Sequence, residues 1–156
     1  SVPITDLKRV LELLSNINIS KMSIIEIAEM IRPALVGLLI QKICPINKEL
    51  AVITLSPEME QIIINALKEK NTTGISLDPT FTKNMLEAIA QAYETASSKG
   101  DNCILLTSPI IRKDLSNLIR QNIDDLHVLA FTELPETRRI NIIATIENKP
   151  KEENNK

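Results

Sequence analysis

Leu50-Ala51-Val52-Ile53-Thr54-Leu55-Ser56-Pro57-Glu58 is the stretch on which the fold turns. Ala51 to Leu55 is short, apolar and rich in β-branched residues, the pattern of a buried strand. Ser56 is a good helix N-cap, and Pro57 at the first helical position gives up an amide that has no partner there anyway. Glu58 then suits the positive end of the helix. The strand therefore turns straight into a helix, expected to run to about Lys70.

Outward from this stretch the device returns. Cys103-Ile104-Leu105-Leu106-Thr107 is followed by Ser108-Pro109 and a helical run carrying Ile111, Leu115, Leu118 and Ile119. Ile75-Ser76-Leu77-Asp78-Pro79 is a third version, with Asp78 as cap. Its helix carries Phe81, Met85, Ala88 and Ala92 on one face and stops at Ser98-Lys99-Gly100, a glycine end signal. Two further strands are expected, His127 to Phe131 and Ile140 to Ile146. In the last one the alternation of Ile140, Ile142, Ala144 and Ile146 with Asn141, Ile143 and Thr145 predicts one well-buried face. Thr132 to Arg139 is a polar connector of about hairpin length, so the final two strands are expected to pair antiparallel. The order strand, helix, helix, strand, helix, strand, strand gives an α+β (mixed α/β) fold: a small mixed β-sheet packed with helices.

Upstream the rhythm is helical. Leu7, Val10, Leu11 and Leu14 form one stripe of a 3.6-residue period. Ser23-Ile24-Ile25-Glu26 has the spacing of a capping box and opens a second helix. Pro33 inside it lacks an amide donor, which predicts a kink or restart near Arg32. Cys44-Pro45 ends that helix. Three regions follow: 1–45 as the end of a helical subdomain, 46–147 as a mixed α/β C-terminal subdomain, and 148–156 as a disordered tail of Asn, Lys, Pro and Glu. The chain opens on Ser1, with no secretory pattern, as expected of a piece cut from a longer protein.

Composition narrows the function. With 44% apolar residues there is enough to bury a core, and a net charge of −2 leaves no basic excess for nucleic acid. Phe81, Tyr93 and Phe131 are all the aromatics, so platforms for stacking bases are missing as well. Cys44 and Cys103 are far apart and outside any CxxC spacing, which suits a reducing compartment and buried thiols. The longest apolar run, Ala34 to Ile40, is too short to span a membrane.

Little points to chemistry. Gly37, Gly74 and Gly100 are isolated, so no phosphate-binding loop can be built from them. The helix starts at Ser56, Asp78 and Ser108 could attract anions, but the proline after each removes an amide donor. The one histidine, His127, follows Asp124 and Asp125, an arrangement that invites an acid–imidazole reading; a strand-boundary residue is the expected role. No cofactor and no metal are expected. Arg112, Lys113 and Arg120 on the helix after Ser108, with Arg138 and Arg139 before the last strand, are the candidate interaction surface, either solvated faces or a site for an acidic partner.

Taken in order, the segments resemble the end of the flagellar and type III secretion export-gate family. The resemblance is carried by Val2-Pro3-Ile4-Thr5-Asp6-Leu7 with Leu11-Glu12-Leu13-Leu14, and by Leu50 to Glu60 with Ala51 where the family usually has Pro. It continues in Leu105-Leu106-Thr107-Ser108-Pro109-Ile110-Ile111-Arg112, and closes in Val128 to Pro135 and Arg139 to Ile146. It implies an inner-membrane parent protein whose cytoplasmic part forms a homo-oligomeric ring. Other export-apparatus proteins, export chaperones and substrates, and the stalk of the ATPase complex are the implied partners. The chain would be a non-catalytic interaction module on the cytoplasmic side. Alternatives are the same family in a virulence secretion system, which the closing Arg-Arg-Ile-Asn-Ile-Ile-Ala-Thr-Ile disfavours, and a small α/β enzyme using His127 with Asp124 or Asp125.

Overall fold

A computed structural model describes residues 11–12, 14–15, 22–68 and 77–148. The order is α1 (Ile24–Ile43), β1 (Leu50–Leu55), α2 (Pro57–Lys68), α3 (Pro79–Ser98), β2 (Cys103–Thr107), α4 (Pro109–Arg120), β3 (His127–Ala130), a 3-10 turn (Phe131–Glu133) and β4 (Ile140–Ile146). Of the first expected helix, Leu11, Glu12, Leu14 and Ser15 are helical. Leu7, Val10, Ile75, Ser76 and the tail from Lys149 lie outside the described residues.

The fold class is as expected, helices on a small sheet, but the sheet is parallel throughout. Its order is β3-β2-β1-β4, with β1 parallel to β2, β2 to β3 and β1 to β4. The expected antiparallel pairing of the last two strands is therefore overturned: β3 and β4 stand at opposite edges. The reason lies in reach. Crossing three strand spacings is about 14 Å sideways, and the connector from Phe131 to Arg139 can extend about 30 Å. It returns along the sheet without needing a helix. Steps from β1 to β2 to β3 run one way, and the step to β4 runs back. A common right hand then requires the last crossover on the opposite face, where Leu134 packs.

Both faces of the central strands are covered, which is why β1 and β2 read as unbroken apolar runs rather than alternating ones. One face presents Ala51, Ile53, Cys103, Leu105 and Val128 to Met59 and Ile63 of α2, Met85 and Ile89 of α3, and Ile111, Leu115 and Ile119 of α4. The other presents Leu50, Val52, Ile104, Leu106 and Leu129 to Val36, Ile40 and Cys44 of α1. Burying each of the Val, Leu, Ile and Met side chains among these is worth about 1.5–3 kcal/mol.

Three of the expected caps form, at Ser23, Ser56 and Asp78, whereas Ser108 makes no side-chain cap bond and its buried hydroxyl has no partner among the described residues. Ser23 and Glu26 form a reciprocal box, with Ser23 N donating to Glu26 Oε2 at 2.7 Å. The Asp78 side chain accepts from Phe81 N at 2.8 Å, and Ser56 Oγ accepts from Met59 N at 3.3 Å. The helix through Pro33 does not restart: α1 is one helix of 20 residues. Proline removes the donor for the Glu29 carbonyl, but packing of Val36 and Ile40 after it and the ion pairs of Glu29 and Arg32 before it tie both halves of the helix to the rest of the fold.

Candidate interaction surfaces

Glu29, Arg32, Val36 and Ile40 fall on one stripe of α1, the stripe that faces the sheet. The two charged members reach the ends of other elements. Arg112, only 8% exposed, donates to Glu29 Oε2. Arg32 Nε donates to Glu133 Oε1 at 2.7 Å and Arg32 Nη2 to the Val128 carbonyl at 3.1 Å. Glu133 also accepts from Ala130 N at 2.7 Å, so one carboxylate closes the end of β3 and anchors α1. The hydrogen bond from Arg112 holds the Glu29 carboxyl below the ordinary carboxylate range, with smaller help from the charges of Arg112, Arg32 and Lys113 against the opposing effect of burial.

The other end of α1 is fastened too. Arg138 Nη2 donates to the carbonyls of Cys44 at 3.0 Å and Pro45 at 3.1 Å, and Asn102 Nδ2 to that of Ile43 at 3.1 Å. These donors meet the free carbonyls at the negative end of a helix. Glu60 plays the mirror role on the opposite face: its carboxylate accepts from Thr107 Oγ1 and from Ser108 N, both at 2.8 Å, at the start of α4.

The five basic candidates thus divide. Arg112 and Arg138 are spent on internal carboxylate and carbonyl partners, whereas Lys113, Arg120 and Arg139 are exposed. The sequence could not separate them, because adjacent positions on a helix point to different faces; the stripe containing Glu29 and Arg32 was the available clue to a buried arginine partner.

His127 opens β3 at an exposed position. Partial desolvation lowers its pKa, opposed by Asp125 and reinforced by Lys42 and Arg32. It borders a cleft of about 230 Å³ with Arg120, Asp124 and Asp125, and no hydrogen bond joins imidazole to either carboxylate among the described residues. Both cysteines are free and buried, and burial pushes the Cys103 thiol up to about 11, leaving it protonated and inert at neutral pH. Among the described residues no group of His, Cys, Asp and Glu could hold a metal ion, and no helix is long and apolar enough to cross a membrane.

Sequence reasoning missed a run of exposed apolar residues on one strand. β4 buries only Ile146; Ile140, Ile142 and Ile143 are 41%, 56% and 36% exposed. The single well-buried face expected for this strand is absent because the bulge opposite Val52 and Ile53 splits the alternating set: Ile140 and Ile142 stand on the face that carries α1, which packs over β1 to β3, while Ala144 and Ile146 turn to the other face.

Residues 1–139 match the model of the FHIPEP family. The chain is similar to the flagellar biosynthesis protein FlhA of Buchnera aphidicola subsp. Acyrthosiphon pisum, 31% identical over 147 residues, covering 92% of the chain and 21% of the relative. It is likewise similar to the solved C-terminal domain of InvA, with a TM-score of 0.72 at 27% identity, over 93% of this chain and 44% of that one. At 18% identity the nonameric SctV-C of EPEC shares the fold, with a TM-score of 0.73 over 94% of this chain and 44% of that one. The chain spans about a fifth of the length of the curated relatives it matches.

Proposed function

The chain belongs to the FHIPEP family, and from that premise we propose that it serves as a protein-interaction module of a flagellar export gate, without catalytic activity of its own. The observation that carries this reading is the likeness to FlhA along 92% of the chain.

On this reading the parent protein sits in the inner membrane, and this part lies on the cytoplasmic side. There it contributes to a homo-oligomeric ring and meets the ATPase stalk, export chaperones and substrates. The fold is shared with a protein solved as a nonamer, which favours the ring. Of the five basic candidates, Lys113, Arg120 and Arg139 are those left to meet an acidic partner, and electrostatic steering by such charges would speed the encounter. The region up to residue 45 would close the helical subdomain, and 46–147 would form the C-terminal one.

A chimaera tests the proposal. The matching part of FlhA is replaced by this chain in a host lacking its own copy, and motility and secretion of flagellar subunits are measured. Restored export is expected. A stable, membrane-inserted chimaera that supports no export would overturn the flagellar reading, and one that restores only secretion by an InvA-type system would move it to the virulence branch, which the likeness to InvA keeps as the second reading.

A further inference from the structure

The outer side of β4 has no strand neighbour among the described residues. Towards β1, the carbonyls of Arg139 and Ile146 accept from Leu50 N at 3.0 Å and Ser56 N at 2.8 Å. Alternation along a parallel strand then turns the backbone groups of Ile140 and Ile142 away from β1, toward the open side. The register shifts once, at the bulge opposite Val52 and Ile53.

Above this edge α3 carries two neighbouring stripes. Met85, Ile89 and Ala96 are buried toward the sheet. Asn84, Ala88, Gln91 and Thr95 follow at three- and four-residue spacings on the adjoining stripe, and line a groove of about 850 Å³ whose other wall is β4. These side chains are small or flexible, so the helix overhangs the edge without filling the space beside it. A neighbouring strand lies about 4.8 Å from its partner, and the groove runs between β4 and α3 along this unpaired edge. The charges along it are unbalanced: Glu87, Asp101 and Glu147 against Lys99, with Lys83 reaching Glu87 at 3.7 Å from outside.

We propose that the β4 edge accepts a fifth strand supplied by another protein, an extended segment alternating apolar with basic residues. Its backbone pairs with the outward groups of Ile140 and Ile142. Its apolar side chains meet Ala88 and Ala92 beneath α3 and the exposed isoleucines on the far face. Its basic residues meet Glu147, Asp101 and Glu87. Strand addition of this kind draws affinity from main-chain hydrogen bonds and selectivity from alternate side chains. The site is at the opposite edge of the sheet from Arg120 and His127, and it stands or falls separately from the export-gate reading.

The test titrates the isotopically labelled chain with three model peptides of about eight residues, the length of a long strand. One alternates valine with lysine, one valine with glutamate, and one is the lysine peptide with a central proline. The lysine peptide should shift the amide signals of Ile140 to Ile146 and slow exchange at Ile140 and Ile142. It should bind about tenfold more tightly than the glutamate peptide, a difference of about 1.4 kcal/mol, while the proline peptide leaves β4 unmoved. Glu147→Lys, on an exposed position, should weaken the lysine peptide about threefold or more while the remaining spectrum stays that of the folded chain. Equal binding of the lysine and glutamate peptides, shifts confined to other surfaces, or no shift in β4 at all would each overturn the proposal.

Discussion

The two edges of the sheet are built from similar residues and treated in opposite ways. β3 is four residues long, buries Val128, Leu129 and Ala130, and has Arg32 donating to its outward Val128 carbonyl. β4 is seven residues long and leaves its first four side chains exposed. Open strand edges invite pairing with other chains, and proteins ordinarily blunt them by shortness, charge, a bulge or a covering element. At β3 three of these devices act together; at β4 only the bulge does. One edge left open, across the sheet from one so thoroughly closed, points to a difference in use, since the same fold had the means to close both.

The comparison is broken most directly by truncating one aliphatic residue on each edge. Leu129→Ala on β3 removes a side chain that is fully buried between α1 and the sheet, and should cost about 2–5 kcal/mol. Ile142→Ala on β4 should stay within about 0.5 kcal/mol. Urea denaturation of the two variants measures both; equal losses would mean that β4 is covered by something in solution.

Next in size is Arg112→Ala, which strips Glu29 of its partner and should destabilise by about 1.5–3 kcal/mol. Arg112→Met keeps much of the packing volume and should recover part of the loss. The pH dependence has a definite sign. The Glu29 carboxyl is held below the ordinary glutamate value in the folded chain, so its contribution is present at neutral pH and fades as pH falls through the lowered folded value. The gap between wild type and Arg112→Ala should therefore narrow in acid, and a gap that widened there would contradict the pairing.

Much of this was legible beforehand. Ser56-Pro57 and Asp78-Pro79 marked helix starts because capping is a local matter, decided by neighbours within three residues; Ser108-Pro109 marked one as well, through the proline at the first helical position, since the Ser108 side chain makes no cap bond. The buried central strands were legible for the same reason: continuous apolar runs have few other homes. What failed was anything depending on who lies beside whom. Ile140 to Ile146 alternates convincingly, yet the bulge after Ile142 moves Ala144 and Ile146 to the face opposite Ile140 and Ile142, and nothing local announces where a bulge will fall. The antiparallel expectation failed likewise, since the length of the Phe131–Arg139 connector permits a hairpin or a crossover. Of the basic candidates, Arg112 was mistaken for surface because its partner Glu29 lies 83 positions away in the chain.

A smaller effect sharpens what protects β3. Arg32→Ala removes the donor to the Val128 carbonyl and to Glu133, and should cost about 1–2 kcal/mol. Glu133 keeps its bond from Ala130 N, so the end of the strand should survive while the mid-strand carbonyl is bared. Hydrogen exchange would register this as faster opening around β3 with β1 and β2 unchanged. A concentration-dependent association in Arg32→Ala, absent from the parent chain, would show that this guanidinium guards the edge as well as holding α1.

The smallest expected change in stability comes from the charges that touch nothing internal. Lys113→Glu, Arg120→Glu and Arg139→Glu reverse exposed side chains, and each should move the unfolding free energy by no more than about 0.5 kcal/mol. Their value lies in that silence. A folded chain with unchanged stability but slowed, less salt-sensitive association with an acidic partner would assign these residues to recognition. Arg139 is the most telling of the three, because it begins the open edge: losing partner binding with Arg139→Glu but not with Lys113→Glu would place the encounter on the β4 side of the sheet, and the reverse would place it on the closed one.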